Sequence, residues 1–348
     1  FSHASDEALF GDPVSEFAGQ NVGVVIAETQ KYAYMAAKQA VIEYSTENLE
    51  PPILTIEDAI QHDSYFHPPP FLAPKPVGDF EQGMSEADHK ILSGEVKLES
   101  QYYFYMETQT ALAVPDEDNC ITVYASTQIP EVTQNVVADC LSIPYHNVRI
   151  VTRRVGGGFG GKAMKGCHVA CACAVAAFKL RRPVRMYLDR KTDMIMAGGR
   201  HPMKVKYNVG FKSDGTLTAL HLDLGINAGI SPDVSPALPS AIVGALKKYN
   251  WGALALDVKV CKTNVSSKSA MRGPGDVQGC FIAEAIIEHV ASAHASDSAP
   301  PLAHSHDYVI DLKRRSLTKF YGDAAGEAST YSLVEIFDKL ASSPEYRS

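Results

Sequence analysis

The sequence predicts an α+β protein built from more than one structural unit. Short β-branched and aromatic runs separated by turn residues dominate the chain after about residue 80, and two long apolar helices interrupt them. A cluster of prolines, Pro68, Pro69, Pro70, Pro74 and Pro76, divides this part from a smaller N-terminal one. At 348 residues the chain also exceeds the usual size of a single domain.

Taken in order, residues 22–27 form a short apolar run expected to be a buried strand. Thr29 can cap a helix with Ala33, Ala37, Ala40, Val41 and Tyr44 on one face. Pro51 and Pro52 end that unit, and residues 54–60 begin another. The prolines of 67–76 support neither a ladder nor a helix, so an extended connector is expected there. Strands are expected at 120–125, 147–155 and 183–189. Two more, at 201–211 and 216–227, flank Lys212-Ser213-Asp214-Gly215, whose Asp-Gly pair signals a hairpin. Residues 163–179 are apolar nearly all round, which predicts a buried helix. A second helix is expected at 277–293 with Asp276 as its cap, and the segment around Gly244 reads as loop.

The formal charge of −8 argues against a nucleic-acid surface, and Lys313, Arg314 and Arg315 read as a solvated helix end. No apolar run reaches the roughly 20 residues a membrane helix needs. Seven irregularly spaced cysteines suit a reducing compartment better than a disulfide framework. The chain starts at Phe1, which is read as an excerpt from a longer polypeptide.

Gly156-Gly157-Gly158-Phe159-Gly160-Gly161 lies between an expected strand and an expected helix. It satisfies the dinucleotide pattern G-x-G-x-x-G, with Asp189 closing the next strand as a ribose-binding acid would. Arg149, Arg153 and Arg154 speak against that reading, because they would charge a buried central strand. A tight turn that lets a helix pack closely is the plainer alternative. In any anion-binding reading, glycines let backbone N–H groups approach the ligand and a helix N-terminus adds positive potential. A second loop, Ser269-Ala270-Met271-Arg272-Gly273-Pro274-Gly275, also opens onto a helix. The pair could be unrelated turns or could hold one large anion from two sides.

These loops, together with Phe104-Tyr105-Met106-Glu107-Thr108-Gln109, Ser126-Thr127-Gln128 and Lys262-Thr263-Asn264, resemble the xanthine dehydrogenase and aldehyde oxidase family of molybdenum hydroxylases. The similarity runs from about residue 19 to about 290 and is nearest to plant aldehyde oxidases. It implies the end of an α/β hammerhead domain over 1–60, a connector at 61–78, and the first half of a molybdopterin-binding domain over 79–348. It also implies a molybdenum–molybdopterin cofactor, with two [2Fe-2S] clusters and FAD elsewhere in a cytoplasmic homodimer. Gln128 would direct its amide at the metal centre, Phe159 and Gly160 would offer backbone N–H groups, and Arg272 would stand at the metal from the second loop. The implied reaction converts aldehydes to carboxylic acids, with water as oxygen source and dioxygen as electron acceptor. Purine hydroxylation is the rival within the family, and a nicotinamide-dependent dehydrogenase is the rival outside it.

The family's base is a glutamate in a Gly-Glu-Pro-Pro motif. Ala299-Pro300-Pro301-Leu302 lacks the Gly-Glu pair, so no catalytic base is assigned here and the chain alone is expected to be inactive. In purine-oxidising members a glutamate follows the glycine-loop lysine, an arginine stands upstream of the second loop, and an aromatic residue stacks on the substrate. Here the corresponding residues are Ala163, Ser240 and Pro274, which implies a roomier, less polar pocket for aldehydes. Cys167, His168, Cys171 and Cys173 tempt a metal reading, but the cysteines do not share one helix face and read as core residues. His304, His306 and Asp307 read as a solvated polar loop.

Overall fold

The computed structural model describes residues 7–297, 306–318 and 333–343. Two sheets organise it. The larger holds β1 (Tyr65–Phe66), β2 (Lys90–Leu98), β7 (Met203–Phe211), β8 (Leu217–Gly229) and β9 (Ala253–Lys262), in the order β1-β9-β8-β7-β2. Every neighbouring pair in it is antiparallel except β8 and β9. The smaller sheet runs β5 (Val148–Val151), β4 (Ile121–Ala125), β3 (Thr110–Pro115), β6 (Val184–Tyr187), with only β4 and β5 parallel. Two mainly antiparallel sheets with helices packed on them, rather than alternating βαβ units around a parallel sheet, bear out the α+β expectation.

The hairpin of β7 and β8 forms where Asp-Gly placed it. Gly215 takes φ +85°, its N–H donates to the Lys212 carbonyl at 2.8 Å, and Asp214 accepts from the Thr216 N–H. α2 (Ile56–Gln61) and α3 (Phe80–Ser85) cover one face of this sheet, with Ile56 over Gly225 and Gly83 over Ala219, whereas Leu220, Leu222, Leu224 and Ile226 of β8 are buried on the opposite face. The other face packs on α7 (Leu238–Leu246) and α8 (Asp276–Asp297), joining Ile242, Leu246, Ile282, Ile286 and Val290 to the core. The stretch around Gly244 is therefore helix rather than loop. Pro239 sits in the first turn of α7, where its missing N–H costs nothing.

A second core joins the small sheet to α4 (Pro130–Leu141) and α5 (Gly166–Leu180). Ala111, Ala113, Val123 and Val148 meet Val137, Ala170, Cys171 and Ala174 there. The small residues of α5 let it lie close to β3, and it is buried nearly all round as its sequence implied. Residues 22–27 do not form the expected strand. Val22, Val25 and Ile26 are exposed and, among the described residues, no strand lies beside them to complete a ladder. Thr29 does cap α1 (Gln30–Gln39), accepting from the Tyr32 N–H, but the helix stops before Val41 and Tyr44, which are exposed. Among the described residues no helix is long and apolar enough to cross a membrane.

Candidate functional site

The first glycine loop leaves β5 and turns several times before α5 begins at Gly166, so it does not open directly onto a helix. Nor does it belong to a dinucleotide-binding unit. β5 and β6 stand at opposite edges of the small sheet with β4 and β3 between them, which removes Asp189 from the role of ribose partner. The edge position also explains Arg149, since an outward-facing side chain of an edge strand can carry charge. Asp189 instead caps α6 (Arg190–Met196), accepting from the Thr192 N–H.

Gln128 lies three residues after β4 and is built into the loop. Its Oε1 accepts from the N–H groups of Gly160 at 2.9 Å and Lys162 at 3.2 Å, and its own N–H donates to the Lys162 carbonyl at 2.8 Å. The side-chain oxygen is thus committed, and Nε2 is what the exposed Gln128 amide has left to offer a ligand. The Gly160 N–H, expected to be open, is the one donated to Gln128. Close approach to backbone requires glycine at Gly160 and crowds Gly158 against the Gln128 side chain. A Cβ at Gly158 would meet Gln128 Oε1 at 2.5 Å, and one at Gly160 would meet the Ala270 carbonyl oxygen at 2.0 Å.

That last contact brings the second loop against the first, and the Arg272 N–H seals it by donating to the Phe159 carbonyl at 2.9 Å. Phe159 itself adopts φ +50° and is half exposed, and the Arg272 side chain is exposed beside it. Arg200 lies buried beneath, donating to the Arg272 carbonyl at 2.9 Å and to Gln278 Oε1 at 3.3 Å. Of the positions implied to shape the substrate pocket, Ala163 is buried just after the first loop and Pro274 is half-buried in the second. Ser240 is exposed on α7, whose Ala241 would be 2.5 Å from a Cβ on Gly275. Ser240 and Pro274 therefore stand on elements in direct contact.

The framework beneath the first loop uses residues to which sequence reasoning gave no role. Lys162 is buried with its Nζ 2.6 Å from Glu107 Oε2, 3.1 Å from Ser126 Oγ and 5.0 Å from the centre of the Tyr105 ring. Burial raises the Glu107 carboxyl, but donors from Lys162, Ser126 and the Gly156 N–H outweigh it and hold the group below its ordinary range. Burial likewise pulls the Lys162 ammonium down, against the pull of Glu107. Asp193, also buried, accepts from Tyr102, Tyr105 and the Gln109 N–H, while Arg190 Nη2 donates to the Tyr105 carbonyl at 2.6 Å. Glu107, Gln109 and Ser126 lie inside the motifs that carried the resemblance, whereas no local pattern marks Asp193.

Both loops fit a large anion. Among the described residues the N–H groups of Phe159, Ala270 and Gly273 have no acceptor, and the buried Nε2 of Gln278 has none either. The exposed Arg272 adds a guanidinium to this donor-rich set. The cysteines of α5 are buried apolar packing, and among the described residues no cluster of three His, Cys, Asp or Glu could hold a metal. The sequence cluster of His304, His306 and Asp307 falls on residues whose side chains, or whose whole placement, lie outside the described ones.

Comparison with known proteins identifies the family. Residues 66–299 match the molybdopterin cofactor-binding domain, and residues 1–48 match the a/b hammerhead domain of aldehyde oxidase and xanthine dehydrogenase. The chain is 78% identical over 348 residues to a probable aldehyde oxidase 2 of Oryza sativa subsp. japonica, covering all of this chain and 25% of that protein. It is 78% identical over 342 residues to an indole-3-acetaldehyde oxidase of Zea mays, covering 98% of this chain and 25% of that one. Against the abscisic-aldehyde oxidase of Arabidopsis thaliana the identity is 57% over 340 residues, with 97% and 25% covered. The chain thus spans about a quarter of the length of these relatives. Among solved structures, the aldehyde oxidoreductase of Desulfovibrio gigas superposes with a TM-score of 0.77 at 20% identity, over 92% of this chain and 34% of that one. The quinoline 2-oxidoreductase of Pseudomonas putida 86 does so at 0.75 and 21%, over 96% and 42%. This chain belongs to the molybdopterin cofactor-binding domain family, and its first 48 residues match the a/b hammerhead domain of aldehyde oxidase and xanthine dehydrogenase.

Proposed function

We propose that these residues are the molybdopterin-binding portion of an aldehyde oxidase that converts aldehydes to carboxylic acids, with water as oxygen source and dioxygen as electron acceptor. The observation that carries the reading is the seam between the two loops, where Arg272 donates to Phe159 and unpaired N–H groups remain on both sides. The molybdenum–pterin group, when bound, supplies the two-electron oxidation. This chain's residues hold and orient. Gln128 presents Nε2, Phe159 its N–H and Arg272 its guanidinium, while Gly160 keeps the first loop closed by donating to Gln128.

The substrate would lie near Ala163, Ser240 and Pro274, which offer a methyl, a hydroxyl and a pyrrolidine ring. Such a pocket suits aliphatic or aromatic aldehydes and leaves the polar edges of a purine unpaired. The reading further assigns 1–60 to the hammerhead, 61–78 to the connector and 79–348 to the first half of the cofactor domain. It places the [2Fe-2S] clusters, FAD and the base in the remainder of a cytoplasmic homodimeric polypeptide. Steady-state kinetics of the full-length enzyme on xanthine, hypoxanthine and an aromatic aldehyde test it. The aldehyde should be preferred by about 10² in kcat/KM, the scale on which an apolar pocket rejects a more polar competitor. Comparable efficiency on xanthine would overturn the aldehyde assignment and favour purine hydroxylation.

A further inference from the structure

The small sheet turns one face to α4 and α5 and the other outward. Strand register puts Leu112 opposite both Tyr124 and Arg185, Thr110 opposite Tyr187, Thr122 opposite Arg149, and Tyr124 opposite Val151 on that outer face. Arg153 and Arg154 follow directly after β5. A cleft of about 310 Å³ opens here, lined by Leu112, Tyr124, Tyr187, Arg153, Arg154 and Arg185, with Glu107 among the residues at its wall. Its volume suits one aromatic ring with a short substituent.

This face gathers four exposed arginines, Arg149, Arg153, Arg154 and Arg185. There are 40 acidic residues, yet among the described residues Arg149, Arg153, Arg154 and Arg185 form no ion pair with a carboxylate. The one carboxylate at the wall, Glu107, has its Oε2 committed to Lys162, Ser126 and Gly156. Like charges gathered on one exposed sheet repel, and a bound anion relieves that cost. Arg153 already lies 6.0 Å over the Tyr124 ring, so a guanidinium and an aromatic face are presented together. Arg recognises planar anions through its flat fork, and tyrosine rings sandwich flat ligands.

We propose that the cleft binds a planar aromatic carboxylate, with Arg153 and Arg185 holding the carboxylate and Tyr124 and Tyr187 flanking the ring. Such a ligand occupies a site distinct from the two glycine loops. Binding of benzoate and indole-3-acetate to the full-length enzyme, with benzamide as the neutral counterpart, tests this by isothermal titration. Each carboxylate should show a saturable site that Arg153→Ala/Arg185→Ala weakens by about tenfold or more. Tyr124→Ala should weaken it too, and Arg272→Ala, which alters the other site, should leave it intact. Saturating benzoate should also protect Arg153, Arg154 and Arg185 from phenylglyoxal, read by peptide mass spectrometry. Equal binding of benzamide, loss of carboxylate binding in Arg272→Ala alone, or unprotected arginines would each overturn the proposal.

Discussion

Gly160→Ala tests whether the two loops form one clasp. Gly160 has φ +94°, and an added Cβ would stand 2.0 Å from the Ala270 oxygen and 2.6 Å from its carbonyl carbon. The obstacle is backbone, so relief requires the loops to part and the Arg272–Phe159 hydrogen bond to break. Backbone strain of about 1–2 kcal/mol and a lost hydrogen bond of about 1 kcal/mol sum to roughly 2–3 kcal/mol. Gly158→Ala should be milder, because its clash is with the flexible Gln128 side chain at 2.5 Å. Gly244→Ala provides the opposite sign. Nothing lies within 4 Å of its Cβ position inside α7, and replacing helical glycine should stabilise by about 0.5–1 kcal/mol. Thermal unfolding and molybdenum content per polypeptide of the full-length enzyme should rank the variants Gly244→Ala, Gly158→Ala, Gly160→Ala from best to worst. A Gly160→Ala enzyme with the wild-type midpoint and full metal content would refute the contact and the clasp with it.

Three further outcomes are expected of the full-length enzyme. Gln128→Glu keeps the acceptor for Gly160 and Lys162 but removes the Nε2 donor, so it should lower turnover by about 10²-fold while sparing stability, whereas Gln128→Ala should lower both; Cys171→Ala should leave molybdenum content near wild type. Glu107→Ala should destabilise more than Lys162→Met, because it strands a buried ammonium, by on the order of 2–3 kcal/mol given that Glu107 is partly exposed; equal urea midpoints would refute this. Burial pushes the Asp233 carboxyl up to about 6, against the opposing pull of Lys165 and Ser269. The folded chain therefore holds that proton more tightly than the unfolded one, and this group costs stability increasingly as pH rises from about 4 through 6. Asp233→Asn should remove that part of the pH dependence, seen as a flatter urea midpoint between pH 4 and 7.

Local chemistry made several elements legible without tertiary structure. Asp214 and Gly215 specify the β7–β8 hairpin because Gly215 takes a left-handed backbone angle and the Asp214 carboxylate accepts from the Thr216 N–H. The apolar circumference of α5 announced its burial, and Thr29 announced the start of α1. Pro130 at the first turn of α4 is a helix-start signal, and the apolar run of α7 is long enough for a buried helix. The two glycine loops, with Gln128 and Arg272, were visible as motifs whose order along the chain carried the family resemblance.

What sequence could not decide depends on contacts between distant residues. Arg149 seemed wrong for a buried strand until β5 proved to be an edge, and an edge is a property of the sheet. Residues 22–27 have strand-like composition, but a strand also needs a neighbour to take its hydrogen bonds. Lys162 and Glu107 are 55 residues apart, and the Phe159–Arg272 seam spans still more, so neither pairing leaves a local signature. Residue identities thus determined which segments could become loops, helices and strands. Only the packing of the two sheets decided which backbone donors were satisfied within the chain and which, on Phe159, Ala270 and Gly273, were left without an acceptor among the described residues.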